Sequence, residues 1–173
     1  FPHLARVNLY ANGSSILAKT DEELETLRQL KLNTLYVGLE SGDEDLLKKV
    51  AKGETAEGMC EAVQRAQAAG LKGSVMVLLG IGGRGGSARH ADATAVLLNR
   101  MQPRLLSALR FVDVPGTDMY EGYQAVTEYD AVCELIRLLQ GLELEKTVFR
   151  ANHTSNPVPL EGRFPKDRAA LLH

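Results

Sequence analysis

The stretch Leu35–Gly53, LYVGLESGDEDLLKKVAKG, decides how the chain is read. It opens as an apolar run, the composition of a strand buried in a parallel sheet. The run stops at Glu40-Ser41-Gly42, and a charged helical segment over Asp43–Ala51 follows, closed by Gly53. A carboxylate and a hydroxyl at the end of a buried strand have two readings. In the first, Ser41 or Asp43 caps the next helix and Glu40 is solvated at the rim. In the second, Glu40 accepts hydrogen bonds from ligand hydroxyls, because one carboxylate accepts two such bonds and a ribose diol presents two. Gly38 and Gly42 would then let the ligand approach the backbone.

Working outward, the same rhythm of short apolar strand, turn and amphipathic helix recurs. RVNLYA (Arg6–Ala11) precedes a capping-box signal at Thr20–Glu23, with Leu24, Leu27 and Leu30 on one face of the helix it opens. TLYVGLE (Thr34–Glu40) is the next strand. Thr55 caps a helix with Met59, Ala62, Val63 and Ala66 inward, and Gly70 ends it as a C′ glycine. SVMVLLG (Ser74–Gly80) has no polar break and reads as a central strand. Ser87 then caps a helix carrying Ala91, Ala95, Leu98 and Met101. LLSALRFVDV (Leu105–Val114) is the fourth strand, stopped by Pro115-Gly116-Thr117. Thr127–Asp130 opens a last helix with Val132, Leu135, Ile136, Leu139 and Leu142 inward; the Asn- and Pro-rich segment from Phe149 to Pro165 reads as loop.

Each unit takes roughly thirty residues, as a βαβ crossover needs. The expectation is one α/β domain over residues 1–173, with βα units over 1–125 and the last helix and tail over 126–173. About four parallel strands with outer helices fit an open sheet or a partial barrel. In either, ligands sit at the carboxyl ends of strands. That rule selects Tyr10 and Asn12, Glu40 and Ser41, Gly80–Gly83, and Asp113–Gly116.

Bulk composition narrows the function. The chain has 20 basic and 22 acidic residues, a formal charge of −2, which argues against a nucleic-acid surface. No apolar run approaches the ~20 residues that span a bilayer, so no membrane partner is expected and cytoplasm is the default location. Cys60 and Cys133 lie far apart with no CxxC spacing, and His3, His90, His153 and His173 are scattered, so no metal site is expected. Both ends read as cut: a strand begins almost at once, and FPKDRAALLH (Phe164–His173) stops inside a helical pattern.

Other candidates have bland counterparts. Gly80, Gly82 and Gly85 in LLGIGGRGG (Leu78–Gly86) satisfy G-x-G-x-x-G between strand and helix. The acidic residue that a dinucleotide site needs about 20 positions later is missing, and a flexible loop offering bare backbone to a flat ligand explains the glycines equally. Arg110, mid-strand among apolar residues, needs a partner; Glu40 is one and a ligand carboxylate another. His153 and Asn156 are either substrate-side groups or loop architecture. No catalytic residue is assigned.

Taken together, LYVGLESG, KG (Lys52-Gly53), AG (Ala69-Gly70), LLGIGG, VPGTDMY (Val114–Tyr120) and VFRANHTSNPVPLEGRFPKD (Val148–Asp167) resemble the radical S-adenosylmethionine (radical SAM) superfamily, in particular its bacterial Fe–S oxidoreductase-like members. The resemblance implies a TIM-like (β/α)6 partial barrel, of which this chain is the C-terminal part, and two cofactors in the full-length protein, S-adenosylmethionine and a 4Fe–4S cluster. The family's CxxxCxxC segment is absent here. By position, Glu40 and Ser41 match the ribose-contacting segment, Gly80, Ile81 and Gly82 the segment near adenine, and Val114 and Pro115 the strand end whose backbone reads adenine. Tyr10, Asn12, Arg110, His153 and Asn156 fall on the substrate side, facing a small-molecule or unknown substrate. The chain alone is expected to be inert and to hold neither cofactor. Two rivals stay open: a dinucleotide-binding oxidoreductase using Gly80, Gly82 and Gly85, and a non-catalytic α/β interaction module. Self-association through the exposed edge at Val7–Tyr10 is a further expectation.

Overall fold

The computed structural model describes residues 3–114 and 119–172. The chain runs β1 (Val7–Tyr10), α1 (Gly13–Leu17), α2 (Asp21–Gln29), β2 (Leu32–Glu40), α3 (Glu44–Lys49), α4 (Ala56–Ala68), β3 (Lys72–Leu79), α5 (Gly83–Met101), β4 (Leu105–Arg110), α6 (Glu128–Gly141), β5 (Val148–Arg150) and β6 (Glu161–Arg163). A short 3-10 turn, Ala170–Leu172, closes it.

All six strands join one sheet in chain order, β1-β2-β3-β4-β5-β6. The first five pair in parallel and β6 returns antiparallel to β5. An order that never reverses has a consequence. Right-handed crossovers then place every connecting helix on the same face, as in a barrel and unlike a doubly wound sheet. The sheet is not closed, and β1 and β6 are its edges.

The register separates the two faces. The paired row Val37, Val75, Leu106 and Phe149 is at most 1% exposed, and this side carries the helices. The neighbouring row Gly38, Met76, Ser107 and Arg150 is half-buried to exposed. Strand side chains alternate between faces, so this second row lies on a face that no helix covers. A third row on the open face, Tyr10, Tyr36 and Ser74, brings the rings of Tyr10 and Tyr36 to 5.3 Å.

Local chemistry sets the helix ends. Thr20 accepts from the Glu23 backbone N–H while the Glu23 carboxylate accepts from the Thr20 N–H, and Thr127 and Asp130 make the same reciprocal pair. Thr55 accepts from the Gly58 N–H. Gly70 follows α4 at φ 83°, where a side chain would be strained.

Several expectations need correction. Among the described residues there are six strands rather than about four, because the tail read as loop contributes β5 and β6. α5 starts at Gly83, and Ser87 lies inside it rather than at its cap. The buried stripe of α6 is Ala131, Glu134, Leu135, Leu138 and Leu139; Ile136 is exposed. Leu30 sits at the C-cap of α2 and is exposed. Among the described residues no helix is long and apolar enough to cross a membrane.

Candidate functional site

At the tip of β2 the ladder slips between Gly38 and Glu40, so that Gly38 pairs with Met76 and Glu40 with Val77. The Ser41 N–H bonds the Leu39 carbonyl at 2.7 Å, closing a three-residue turn around Glu40. Glu40 therefore stands at φ 61°, left-handed backbone that a glutamate adopts only at a cost of about 1–2 kcal/mol. The turn lays its carboxylate over Gly38, where a Cβ would come within 2.3 Å of Oε1. Lys52, from the loop after α3, donates to Oε1 at 3.0 Å. No hydrogen bond from the described residues reaches Oε2. The result is a half-buried carboxylate on the open face, beside half-buried Tyr36, Met76 and Leu78.

Ser41 goes the other way. It is fully buried on the helix side, its Oγ 2.8 Å from His90 Nδ1 and accepting from the Asp43 N–H at 2.9 Å. Asp43 caps α3 by accepting from Asp45 and Leu46. The polar pair read in the sequence as one ligand-facing unit is thus split. Glu40 faces outward, and Ser41 belongs to the scaffold.

Gly80 and Gly83 stand at φ 82° and 64°. They are not bare. A Cβ on Gly80 would meet Val126 at 2.4 Å, and one on Gly83 would meet the Gln124 carbonyl at 3.0 Å. Tyr123 Oη donates to the Gly80 carbonyl, Tyr120 Oη donates to the Ile81 carbonyl, and the Arg84 N–H bonds the Gln124 carbonyl. The glycines seat residues 120–126. Burial pushes the Tyr123 phenol up, with Asp113 adding to it. Gly85 points into open space, with nothing within 4 Å of a Cβ; it does not make the close helix contact that the third fingerprint glycine makes. A cleft of about 380 Å³ opens beside Gly82 and Gly86, between α3, the start of α5 and Tyr120. Its Arg89 is held by Asp43 and Asp45, each at 2.6 Å.

Behind the rim lies a polar cluster that the sequence reading missed. Glu134 Oε1 accepts from the Gly80 N–H at 2.7 Å, Ser87 Oγ donates to Oε2, and His90 Nε2 is 3.5 Å from Oε1. Thr94 Oγ1 accepts from the Gly42 N–H at 2.9 Å. Burial lowers the His90 pKa to about 4 and raises that of Glu134. His90 is therefore neutral near pH 7, with Ser41 Oγ and Thr94 Oγ1 at 2.8 and 3.4 Å from its Nδ1. Serine, histidine and carboxylate stand in the order of a hydrolytic triad. Ser41 is fully buried, so no substrate reaches it. The missed signal was register: Glu134 shares the spacing of Ala131, Leu135 and Leu138, and His90 that of Ala91, Thr94 and Leu98.

The remaining candidates scatter. Tyr10 is exposed on the open face. Asn12 caps α1 by accepting from the Ser15 N–H. Arg110 ends β4 and reaches Glu128 of α6 at 3.5 Å, not Glu40. Asn156 accepts from the Arg110 N–H and donates to the carbonyls of Ala108 and Ala151. His153 bonds Ser155 within its own turn. Val114 is half-exposed, and Pro115 lies outside the described residues. Cys60 is buried in α4 and Cys133 exposed on α6, and no metal-holding group of His, Cys, Asp and Glu occurs among the described residues.

Solved structures share this architecture. An archaeal Elp3 from Methanocaldococcus infernus aligns over 87% of the chain at TM-score 0.69 and 16% identity, covering 36% of that structure. Methylornithine synthase aligns over 94% at 0.56 and 16%, covering 52% of its own length. A radical SAM methyltransferase from Sphaerobacter thermophilus aligns over 83% at 0.50 and 12%, covering 40%. This chain thus spans between about a third and a half of the proteins it resembles. No curated protein matches the sequence. Residues 2–95, more than half of the chain, match the radical SAM superfamily. The fold, the unreversed strand order and this match agree, and the chain belongs to the radical SAM superfamily.

Proposed function

We propose that this chain supplies part of the S-adenosylmethionine surface of a radical SAM enzyme, with Glu40 accepting hydrogen bonds from the ribose hydroxyls. The observation behind the reading is the left-handed turn at Glu40. It holds a carboxylate on the helix-free face, over a glycine, with one oxygen on Lys52. Strained backbone persists where its neighbours over-determine it, and such sites cluster at ligand contacts. Tyr36, Met76 and Leu78 give the same face a half-buried apolar floor for a nucleoside. Gly80, Ile81 and Gly82 shape the neighbouring rim from beneath, and Val114 follows β4 at the strand end assigned to adenine.

S-adenosylmethionine, when bound in a radical SAM enzyme, is the source of the 5′-deoxyadenosyl radical. This chain's share is to bind and orient the nucleoside and to keep water from the open face. The residues present do not fit the 4Fe–4S cluster. It needs a set of thiolates, and the two cysteines lie on separate helices, one sealed in the core.

Titration of an enzyme that joins this chain to a cluster-bearing segment, observed by amide NMR, tests the reading. S-adenosylmethionine is expected to move the signals of Tyr36, Gly38, Glu40 and Met76, and NAD to leave them in place. Shifts with NAD centred on Gly80–Gly85 would favour the dinucleotide reading. No shift on the open face at millimolar S-adenosylmethionine would overturn the proposal.

A further inference from the structure

Two strand tips are joined behind the rim by side chains that never reach the open face. The tip of β3 is held from α6, where Glu134 accepts the Gly80 N–H at 2.7 Å. The tip of β2 is held from α5, where His90 contacts Ser41 at 2.8 Å and Thr94 accepts the Gly42 N–H at 2.9 Å. The two holds meet, because Glu134 Oε1 lies 3.5 Å from His90 Nε2 and its Oε2 accepts from Ser87 of α5. The His90 and Glu134 side chains are 1% and 0% exposed.

A carboxylate in that position is costly. Leucine fills the same register of α6 at positions 135, 138 and 139, and a well-packed hydrophobe in place of a buried polar pair is often neutral or stabilising. What a hydrophobe cannot do is accept the Gly80 N–H and at the same time set a carboxylate oxygen 3.5 Å from the His90 ring, which also meets the Leu78 backbone. The beneficiary lies next door to Ser41. The turn at Glu40 is strained, and the first anchors after it are Ser41 on His90 and Gly42 on Thr94, both ending on α5.

We propose that Glu134 and His90 are positioning residues. They lock the tips of β2 and β3 to one another through α5, and so hold the left-handed turn that presents the Glu40 carboxylate over Gly38. The chain of contacts runs from Glu134 to Gly80 on one side, and from Glu134 through His90 to Ser41 on the other. It is a property of the free chain and stands independently of which ligand the open face takes.

Ser41 and Glu134 share no direct hydrogen bond, so the coupling between them reads the brace. In urea unfolding of Ser41→Ala, Glu134→Gln and the double variant, the combined drop in the folding equilibrium constant is expected to be at least about threefold smaller than the product of the single drops. In amide NMR without ligand, Glu134→Gln is expected to move the signals of Glu40 and Gly42, and to speed hydrogen exchange at Ser41 about tenfold, while β1 and α2 keep theirs. The His90 ring nitrogens are expected to report a changed tautomer balance. Should Glu134→Gln not fold, Ser87→Ala removes one donor from the same carboxylate and carries the same readouts. Additive losses, with signal changes confined to Gly80–Ser87 and α6, would overturn the proposal.

Discussion

Glu40 and Ser41 are neighbours in sequence whose side chains leave the tip of β2 on opposite faces of the sheet. One lies over Gly38 on the open face, and the other is sealed against His90. The turn that produces this divergence costs conformational energy at Glu40, where φ is 61°. A glycine adopts that geometry freely. Glu40→Gly and Glu40→Ala both lose the ion pair with Lys52, so their difference isolates the strain. Glu40→Gly is expected to be more stable than Glu40→Ala by about 1 kcal/mol in urea unfolding. Equal stabilities would mean that the turn relaxes. Binding should respond differently from stability. In an enzyme that joins this chain to a cluster-bearing segment, both substitutions are expected to weaken S-adenosylmethionine binding by roughly 1–3 kcal/mol, the scale of a lost charged hydrogen bond. Calorimetric titration reads this directly, and an unchanged affinity would remove Glu40 from the ribose.

Much of this architecture is legible in the sequence, and the failures have physical causes. The capping boxes at Thr20 and Thr127 are local, each needing only three residues and its own backbone, so sequence spacing shows them. The rim also follows from the βα rhythm, which places ligands at strand ends whatever the strand count. β5 and β6 escape because each is three residues long and owes its pairing to a neighbour, not to its own propensity. The start of α5 escapes because no side chain caps it and its first turn is rich in glycine. The split of Glu40 from Ser41 depends on a single residue's φ, which composition does not encode. Glu134 is easily overlooked because a carboxylate within an amphipathic helix is ordinarily on the wet face; only its spacing against Leu135 and Leu138 marks it as buried.

The glycines of the β3–α5 turn are expected to separate sharply. Gly80 combines φ 82° with Val126 at 2.4 Å from a Cβ, so Gly80→Ala should destabilise by roughly 2–4 kcal/mol through strain and overpacking. Gly85 lies inside α5 with open space around it, so Gly85→Ala should stabilise by about 0.5–1 kcal/mol. Thermal unfolding of the two variants settles the order. A destabilised Gly85→Ala would revive the dinucleotide fingerprint, which needs that position bare.

His90 should make the fold acid-sensitive. Its pKa is near 6.5 when unfolded and about 4 in the folded chain, because burial opposes the charge while Asp43 only partly favours it. Between those values the unfolded chain binds the extra proton, so stability falls as pH drops through that window. Lowering the pH from about 7 to about 5 should cost roughly 2 kcal/mol from His90 alone. Glu134 works in the opposite sense. Its folded pKa is raised, so its contribution is present at low pH and is lost as pH rises through the folded value. The other charges near this cluster, Asp43 and Arg89, are already paired to each other at 2.6 Å. Urea unfolding of wild type and His90→Gln across this range isolates the contribution. Parallel curves would show that His90 is not neutral in the fold.

The edge strand β1 invites a partner. All four of its residues are exposed, including Leu9 and Tyr10, and it has neither the lysine nor the proline that blunts an edge. We propose that the isolated chain self-associates through β1. Sedimentation mass is expected to rise with concentration, and Leu9→Lys to hold the chain as a monomer. A single monomer mass for the unaltered chain at high concentration would reject this.

Asn156 offers the clearest distinction between scaffold and site. Its side chain continues the sheet where β5 has ended, accepting from the Arg110 N–H at 2.7 Å and donating to the carbonyls of Ala108 and Ala151 at 2.8 Å each. Every polar atom it has toward the protein is therefore in use. Asn156→Asp keeps the shape but replaces two donors with an acceptor facing two carbonyls. It should cost roughly 3 kcal/mol near neutral pH, more than Asn156→Ala, which leaves the groups unpaired without repulsion. Acidification should narrow the gap: the folded state disfavours the new carboxylate, which raises its pKa, and the protonated acid can again donate one bond. Urea unfolding of both variants at two pH values measures this. If Asn156 served a substrate instead, the Asp variant would fold as well as the parent chain and show no such pH dependence.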